Sequence, residues 1–75
     1  MKNIIVFSTK TCPFCVMLKK NLEKNNISFK EIDIEESQEW YKKMLDRSGQ
    51  DVVPQTWIDQ EIVIGNDIAS IKKLL

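Results

Sequence analysis

The chain opens with an unbroken apolar run of strand formers, Ile4-Ile5-Val6-Phe7. Such a run predicts a strand buried on both faces. Residues 8–11 form a polar turn, and Pro13 suits the first turn of a helix. On that helix Leu18 and Leu22 share one face at i, i+4 and are expected to pack on a sheet, and Asn25-Asn26 ends it. Residues 28–34 read as a second strand, with Phe29, Ile32 and Ile34 as its apolar content. Ser37 is a suitable N-cap for a second helix carrying Trp40, Tyr41, Met44 and Leu45, and Gly49 fits the position that stops it. Residues 55–58 and 61–64 are two short strands separated by Asp59-Gln60 alone, which predicts a tight hairpin. That turn lacks the usual glycine, so its type stays open. Asn66 or Asp67 then caps a last helix through Ile68, Ile71, Leu74 and Leu75. The order β-α-β-α-β-β-α places a helix between the first two strands, so they should pair in parallel through a right-handed crossover. The expected class is α/β, a four-stranded mixed sheet with helices on both faces.

No linker, repeat or low-complexity block interrupts this pattern, so residues 1–75 read as one unit. Composition narrows the chemistry. Lys plus Arg and Asp plus Glu each total 11, which speaks against a basic nucleic-acid binder or a membrane-surface polycation. There is no histidine, so no Ser–His or Cys–His nucleophile pair and no His-ligated zinc or haem. No apolar run approaches the length of a signal or a membrane span, and a cytoplasmic protein is expected. Abundant Lys, Ile and Asn beside the single Arg47 fit a bacterium with an AT-rich genome.

The reactive groups are Cys12 and Cys15, in Cys12-Pro13-Phe14-Cys15. A bridge across so few residues closes too small a loop to brace a fold, which points to redox exchange over the alternatives of two inert buried cysteines or a zinc site completed by a dimer. The motif follows a buried strand and opens a helix within a βαβ unit, the context that makes C-x-x-C a redox motif. Cys12 would lie at the helix N-terminus, where unpaired N–H groups and the helix dipole favour an anion. A thiolate is therefore expected without a histidine base, with Lys10 as a second favourable charge. Cys15, one turn further on, should be the less exposed sulfur. Cys12 is thus the expected nucleophile and Cys15 the resolving thiol, and Phe14 should offer an exposed apolar face to a substrate. A zinc site needs about four ligands and this motif supplies two, so no metal is expected. Trp57 reads as a packing residue, Trp40 and Tyr41 as cover on the second helix, and Lys42, Lys43, Lys72 and Lys73 as solvated faces.

Three segments in order make the chain similar to the glutaredoxin family of the thioredoxin-like superfamily. They are Val6 through Cys15, then Val53-Pro54-Gln55-Thr56-Trp57-Ile58, then Ile64-Gly65-Asn66-Asp67. The resemblance implies a minimal thioredoxin fold and a short bacterial dithiol glutaredoxin. It implies a cis Val53–Pro54 bond facing the cysteines, with Val53 backbone free to pair with a bound thiol peptide. Gly65, Asn66 and Asp67 match the element that holds the γ-glutamyl end of glutathione, although Asp67 also reads as a plain N-cap. Lys10 and Gln50 are the candidates for its glycine carboxylate.

Glutathione is then a co-substrate, and no bound cofactor is implied. The implied partners are glutathione and proteins that carry disulfides or glutathione adducts, with ribonucleotide reductase and methionine sulfoxide reductase conceivable among them; a monomer is expected. Several positions depart from the family pattern: Thr9 for a lysine, Phe14 for a tyrosine, Val52 for a threonine, Ile64 for a glycine and Ile68 for an aspartate. They leave room for a related redoxin reduced by thioredoxin reductase, although Asn66, in place of the bulky apolar residue common there, favours glutathione. A dimeric iron–sulfur carrier is a third reading, and Pro13 after the cysteine argues against it.

Overall fold

A computed structural model of the chain describes residues 3–75. The elements are β1 (Ile4–Ser8), α1 (Pro13–Lys24), β2 (Lys30–Asp33), α2 (Gln38–Ser48), β3 (Gln55–Ile58), β4 (Glu61–Ile64) and α3 (Ile68–Lys73). They build one sheet in the order β2-β1-β3-β4. β1 pairs with β2 in parallel and with β3 antiparallel, and β3 pairs with β4 antiparallel. The expected α/β architecture is the observed one.

Alternation along β1 sends successive side chains to opposite faces. Val6 joins Leu18, Leu22, Ile58, Val63 and Ile71 in an aliphatic layer under α1 and α3. Phe7 joins Ile32, Met44 and Trp57 in an aromatic layer under α2, with Trp40, Tyr41 and Val53 packed against it. Leu18 and Leu22 are completely buried, each stabilising the fold by about 1.5–3 kcal/mol. Trp57 contributes edge-on packing to Phe7 at 4.6 Å, the core role expected of it.

Local signals account for the helix ends. Cys12 is the N-cap of α1 and Pro13 its first residue. At the other end Ile27 N–H returns to Leu22 O (2.9 Å), and Asn26 takes φ 58°, turning the chain toward β2. Ser37 caps α2 by accepting Trp40 N–H at 3.3 Å. Gly49 ends it in the left-handed region at φ 72°, where a Cβ would be unfavourable.

Two boundaries differ from the sequence reading, α3 ending at Lys73 rather than running through Leu75 and β2 being shorter, and two points that the reading left open are decided. β2 begins at Lys30 rather than at residue 28, because its parallel partner supplies pairing only from Ile5↔Lys30 to Ser8↔Asp33. Asp67, not Asn66, caps α3. In the β3–β4 hairpin Asp59 takes φ 53° and does the work of the missing glycine. Its carboxylate accepts Asn3 N–H and its own N–H donates to Asn3 O, both at 3.0 Å, which ties the turn to the start of β1.

Candidate active site

The site forms where the loop after β1 runs into α1. Cys12 is extended (φ −95°, ψ 106°) and half-exposed, and its Sγ accepts Cys15 N–H at 3.2 Å. The sulfur takes the place that a hydroxyl or carboxylate oxygen usually holds at an N-cap. Cys12 O accepts Val16 N–H at 3.2 Å, closing the first turn. Cys15 is fully buried. Burial pushes its thiol up to about 12, and the hydrogen bond with Cys12 adds to this; a backbone hydrogen bond from Thr9 and the charge of Lys19 act in the opposite direction. At neutral pH Cys15 is therefore a protonated, shielded thiol behind an accessible one.

Opposite the sulfurs lies the loop before β3. The Val53–Pro54 bond is cis, and Cys12 Sγ–H points to Val53 O at 4.0 Å. Pro54 is buried and Val53 half-buried. Gly65 N–H donates to Pro54 O at 2.8 Å, which brings Gly65, Asn66 and Asp67 alongside that loop. Gly65 sits at φ 86°, a conformation that favours glycine. Asp67 caps α3: its two carboxylate oxygens accept Ser70 N–H (3.2 Å) and Ser70 Oγ–H (2.7 Å). Those bonds hold its carboxyl below the usual range. Asn66 is exposed, and Phe14 stands out from the first turn of α1 at 62% exposure with Met17 beside it at 51%.

Cys12, Cys15, Val53, Pro54 and Gly65 are thus joined by direct contacts, and other candidates lie apart. Lys10 turns away to an ion pair with Glu36 at 2.7 Å, which raises its pKa. This structure gives its ammonium to a carboxylate where the sequence reading placed it beside Cys12. Gln50 is exposed, and its backbone is fixed by Ser48 Oγ (3.2 Å to its N–H).

Two further groups bear on the site. Gln55 is fully buried, and its Nε2 donates to Gln50 O (2.9 Å) and Val52 O (3.0 Å), stapling the loop that ends at Val53. Its place directly after Pro54, in a strand of otherwise core residues, was the available signal. Glu31 Oε2 accepts from both Ser8 Oγ (2.8 Å) and Lys19 Nζ (2.5 Å), a link that only the β1–β2 register discloses. Lys19 holds the Glu31 carboxyl below its usual range, with Ser8 assisting against burial. No cluster of three or more metal-ligating side chains occurs among the described residues. None of their helices is long and apolar enough to cross a membrane.

A four-stranded α/β sheet, a dithiol at the head of its first helix and a cis-proline facing it define a thioredoxin-fold thiol–disulfide oxidoreductase. The glutaredoxin family model matches residues 4–63. The chain is 34% identical over 67 residues to Glutaredoxin 3 of Escherichia coli K12, covering 89% of this chain and 81% of that one. It is 35% identical over 72 residues to a glutaredoxin-like 8.6 kDa protein of the rubredoxin operon of Clostridium pasteurianum, covering 96% of each. Among solved structures it superposes on the thioredoxin-like protein BC3987 with a TM-score of 0.89 and 30% identity, covering 97% of this chain and 100% of that one. The chain belongs to the glutaredoxin family.

Proposed function

We propose that this enzyme reduces protein disulfides and protein–glutathione mixed disulfides, with Cys12 as nucleophile, Cys15 as resolving thiol and glutathione as electron donor. The observation that carries the reading is the inequality of the two sulfurs: one half-exposed beneath the Val53 carbonyl, the other buried one turn behind it. Only the first is open to a substrate disulfide.

For a mixed disulfide with glutathione, the Cys12 thiolate attacks the glutathione sulfur. The Cys12–glutathione bond forms, and the client thiolate leaves with the electron pair and takes up a proton. A second glutathione then attacks the enzyme adduct, regenerating Cys12 and releasing glutathione disulfide. For a protein disulfide, Cys12 forms the mixed disulfide with one client sulfur, and Cys15 displaces that sulfur to give the Cys12–Cys15 disulfide. Two glutathiones return it to the dithiol. Val53 backbone would pair with the extended peptide bearing the target sulfur. The Gly65–Asn66–Asp67 segment, tied to Pro54 O, would receive the γ-glutamyl end of glutathione, with Gln50 and Lys10 toward its glycine end and Phe14 against its apolar surface.

A second reading is reduction by a thioredoxin reductase. It is favoured by the Lys10–Glu36 ion pair, which must open before Lys10 can meet a carboxylate of glutathione. Coupled NADPH oxidation separates the two donors. Turnover with glutathione and glutathione reductase is the expected result; turnover with thioredoxin reductase alone, and none with glutathione, replaces glutathione by the reductase.

A further inference from the structure

Resolution asks something specific of Cys15. Its sulfur must become an anion while buried, and burial alone opposes that strongly. The groups facing it are the Cys12 sulfur at the N-cap, the Thr9 backbone in the β1–α1 loop and Lys19 on its own helix. Lys19 follows Cys15 by four residues, so the two share a face of α1, with Cβ atoms about 5–6 Å apart.

Lys19 is also fixed in place. Its side chain is only 27% exposed, and its ammonium shares Glu31 Oε2 with Ser8 Oγ. Ser8 is itself 1% exposed and is the last residue of β1, immediately before Thr9. One carboxylate oxygen therefore couples three elements: β2 through Glu31, β1 through Ser8 and α1 through Lys19. Ser8, Thr9, Val16, Lys19 and Glu31 line an open pocket of about 440 Å³ that also takes in Lys10, Asp33 and Glu36.

We propose that Lys19, tethered by Glu31 and Ser8, is a positioning residue for the resolving step, stabilising the Cys15 thiolate that forms while Cys12 carries a mixed disulfide. The inference rests on the reading of Cys15 as the resolving thiol. In the step it assists, Cys15 gives up its proton to solvent and its sulfur attacks Cys12 Sγ. The Cys12–Cys15 bond forms, the bond from Cys12 to the client sulfur breaks, and the client thiolate leaves with the electron pair. The dithiol loses two electrons and the client disulfide gains them. Lys19 touches neither the client nor the reacting atoms and acts through its field at Cys15.

The test uses Ellman's reagent with the reduced full chain in stopped flow. Attack by Cys12 releases a first thionitrobenzoate, and resolution by Cys15 releases a second, so the two steps are read separately. Lys19→Gln is expected to leave the first phase at the wild-type rate. It should slow the second about three- to tenfold, the effect of one partly screened charge. The pH profile of the second phase should move upward by about half a unit to one unit, since losing the cation disfavours the thiolate. Lys19→Arg, which keeps the charge, should restore both rate and profile. A normal second phase in Lys19→Gln overturns the proposal, as does Lys19→Arg being as slow as Lys19→Gln, or a loss of rate in both phases. Cys15→Ser is the separate check on the underlying reading. It should show the first phase alone, and a second phase at the wild-type rate would remove Cys15 as resolver and the proposal with it.

Discussion

The two layers that sandwich the sheet are built differently, and each carries half of the active site. The layer under α1 and α3 is aliphatic and closed, with Val6, Leu18, Leu22 and Ile71 wholly buried. The layer under α2 is aromatic, with Phe7 against Trp57 and Trp40 and two cations laid on its rim: Arg47 over Trp57 and Lys43 over Trp40, each at 4.7 Å. Buried polar atoms without a partner among the described residues occur on both faces, Trp57 Nε1 and Gln55 Oε1 on this one and Thr56 Oγ1 beside Val6 on the other. The sulfurs ride on the first layer through α1. The Val53–Pro54 clamp is set by the second, through Val53 packing and the Gln55 staple. Aliphatic packing fixes the two sulfurs, and a polar-aromatic assembly shapes the cis-proline loop opposite them.

The largest expected effect breaks the site on the aliphatic side without touching its packing. Cys12→Ser should abolish disulfide turnover in a coupled NADPH assay, while the melting temperature stays near that of the parent because serine is a good N-cap. Cys15→Ser should retain much of the turnover with glutathione mixed disulfides; the reverse pattern would exchange the roles of the two sulfurs. Next in size, Leu22→Ala removes a fully buried side chain from the aliphatic layer and should cost about 2–5 kcal/mol by denaturant unfolding.

Gln55→Leu tests the other half. Removing the amide leaves Gln50 O and Val52 O without their donor, a loss of about 1–3 kcal/mol. The Michaelis constant for a protein disulfide should rise while the rate of Cys12 alkylation stays close to the parent; an unchanged Michaelis constant would detach the staple from substrate binding.

The remaining tests are subtler. The unfolded chain gives up the Cys15 proton in the usual thiol range near ~8.5, whereas the folded chain holds it to about 12. Ionisation between those values favours the unfolded state, so stability is full below the usual thiol range and falls as pH rises through it toward 12. Unfolding midpoints across that window should show the fall in the parent and lose it in Cys15→Ser. The smallest effect is expected from Arg47→Gln, which gives up the contact with Trp57 and the bond from Arg47 Nη2 to Asp59 O (3.1 Å), about 0.5–1 kcal/mol in thermal unfolding.

Much of this arrangement is legible in the chain because its signals are local. Ser37, Gly49 and Pro13 punctuate the helices by their own backbone preferences, and the Cys12–Cys15 spacing puts both sulfurs in one turn. What escapes a linear reading depends on register. Lys10 is one residue from the place a cation is expected, yet the parallel β1–β2 pairing sets the end of β2 beside it, and Glu36 takes the ammonium. Lys19 looks like one more solvated lysine until Glu31 is seen opposite Val6, with Ser8 one pleat away on the same strand. Gly65 signals a turn, but its N–H bond to Pro54 O crosses a hairpin whose pairing the chain does not spell out.

The N-cap of α1 carries a last consequence. Because the acceptor of Cys15 N–H is a sulfur, and under the proposed mechanism one that changes its bonding partner in every cycle, the first turn of the helix would register the oxidation state of the dithiol. Drawing that sulfur into a Cys12–Cys15 disulfide changes the geometry of this bond, so exchange of the Cys15 amide with solvent should differ between the reduced and the oxidised protein. The helix end would then act as a gauge of the redox poise around it, and amide exchange at a single residue would read that gauge.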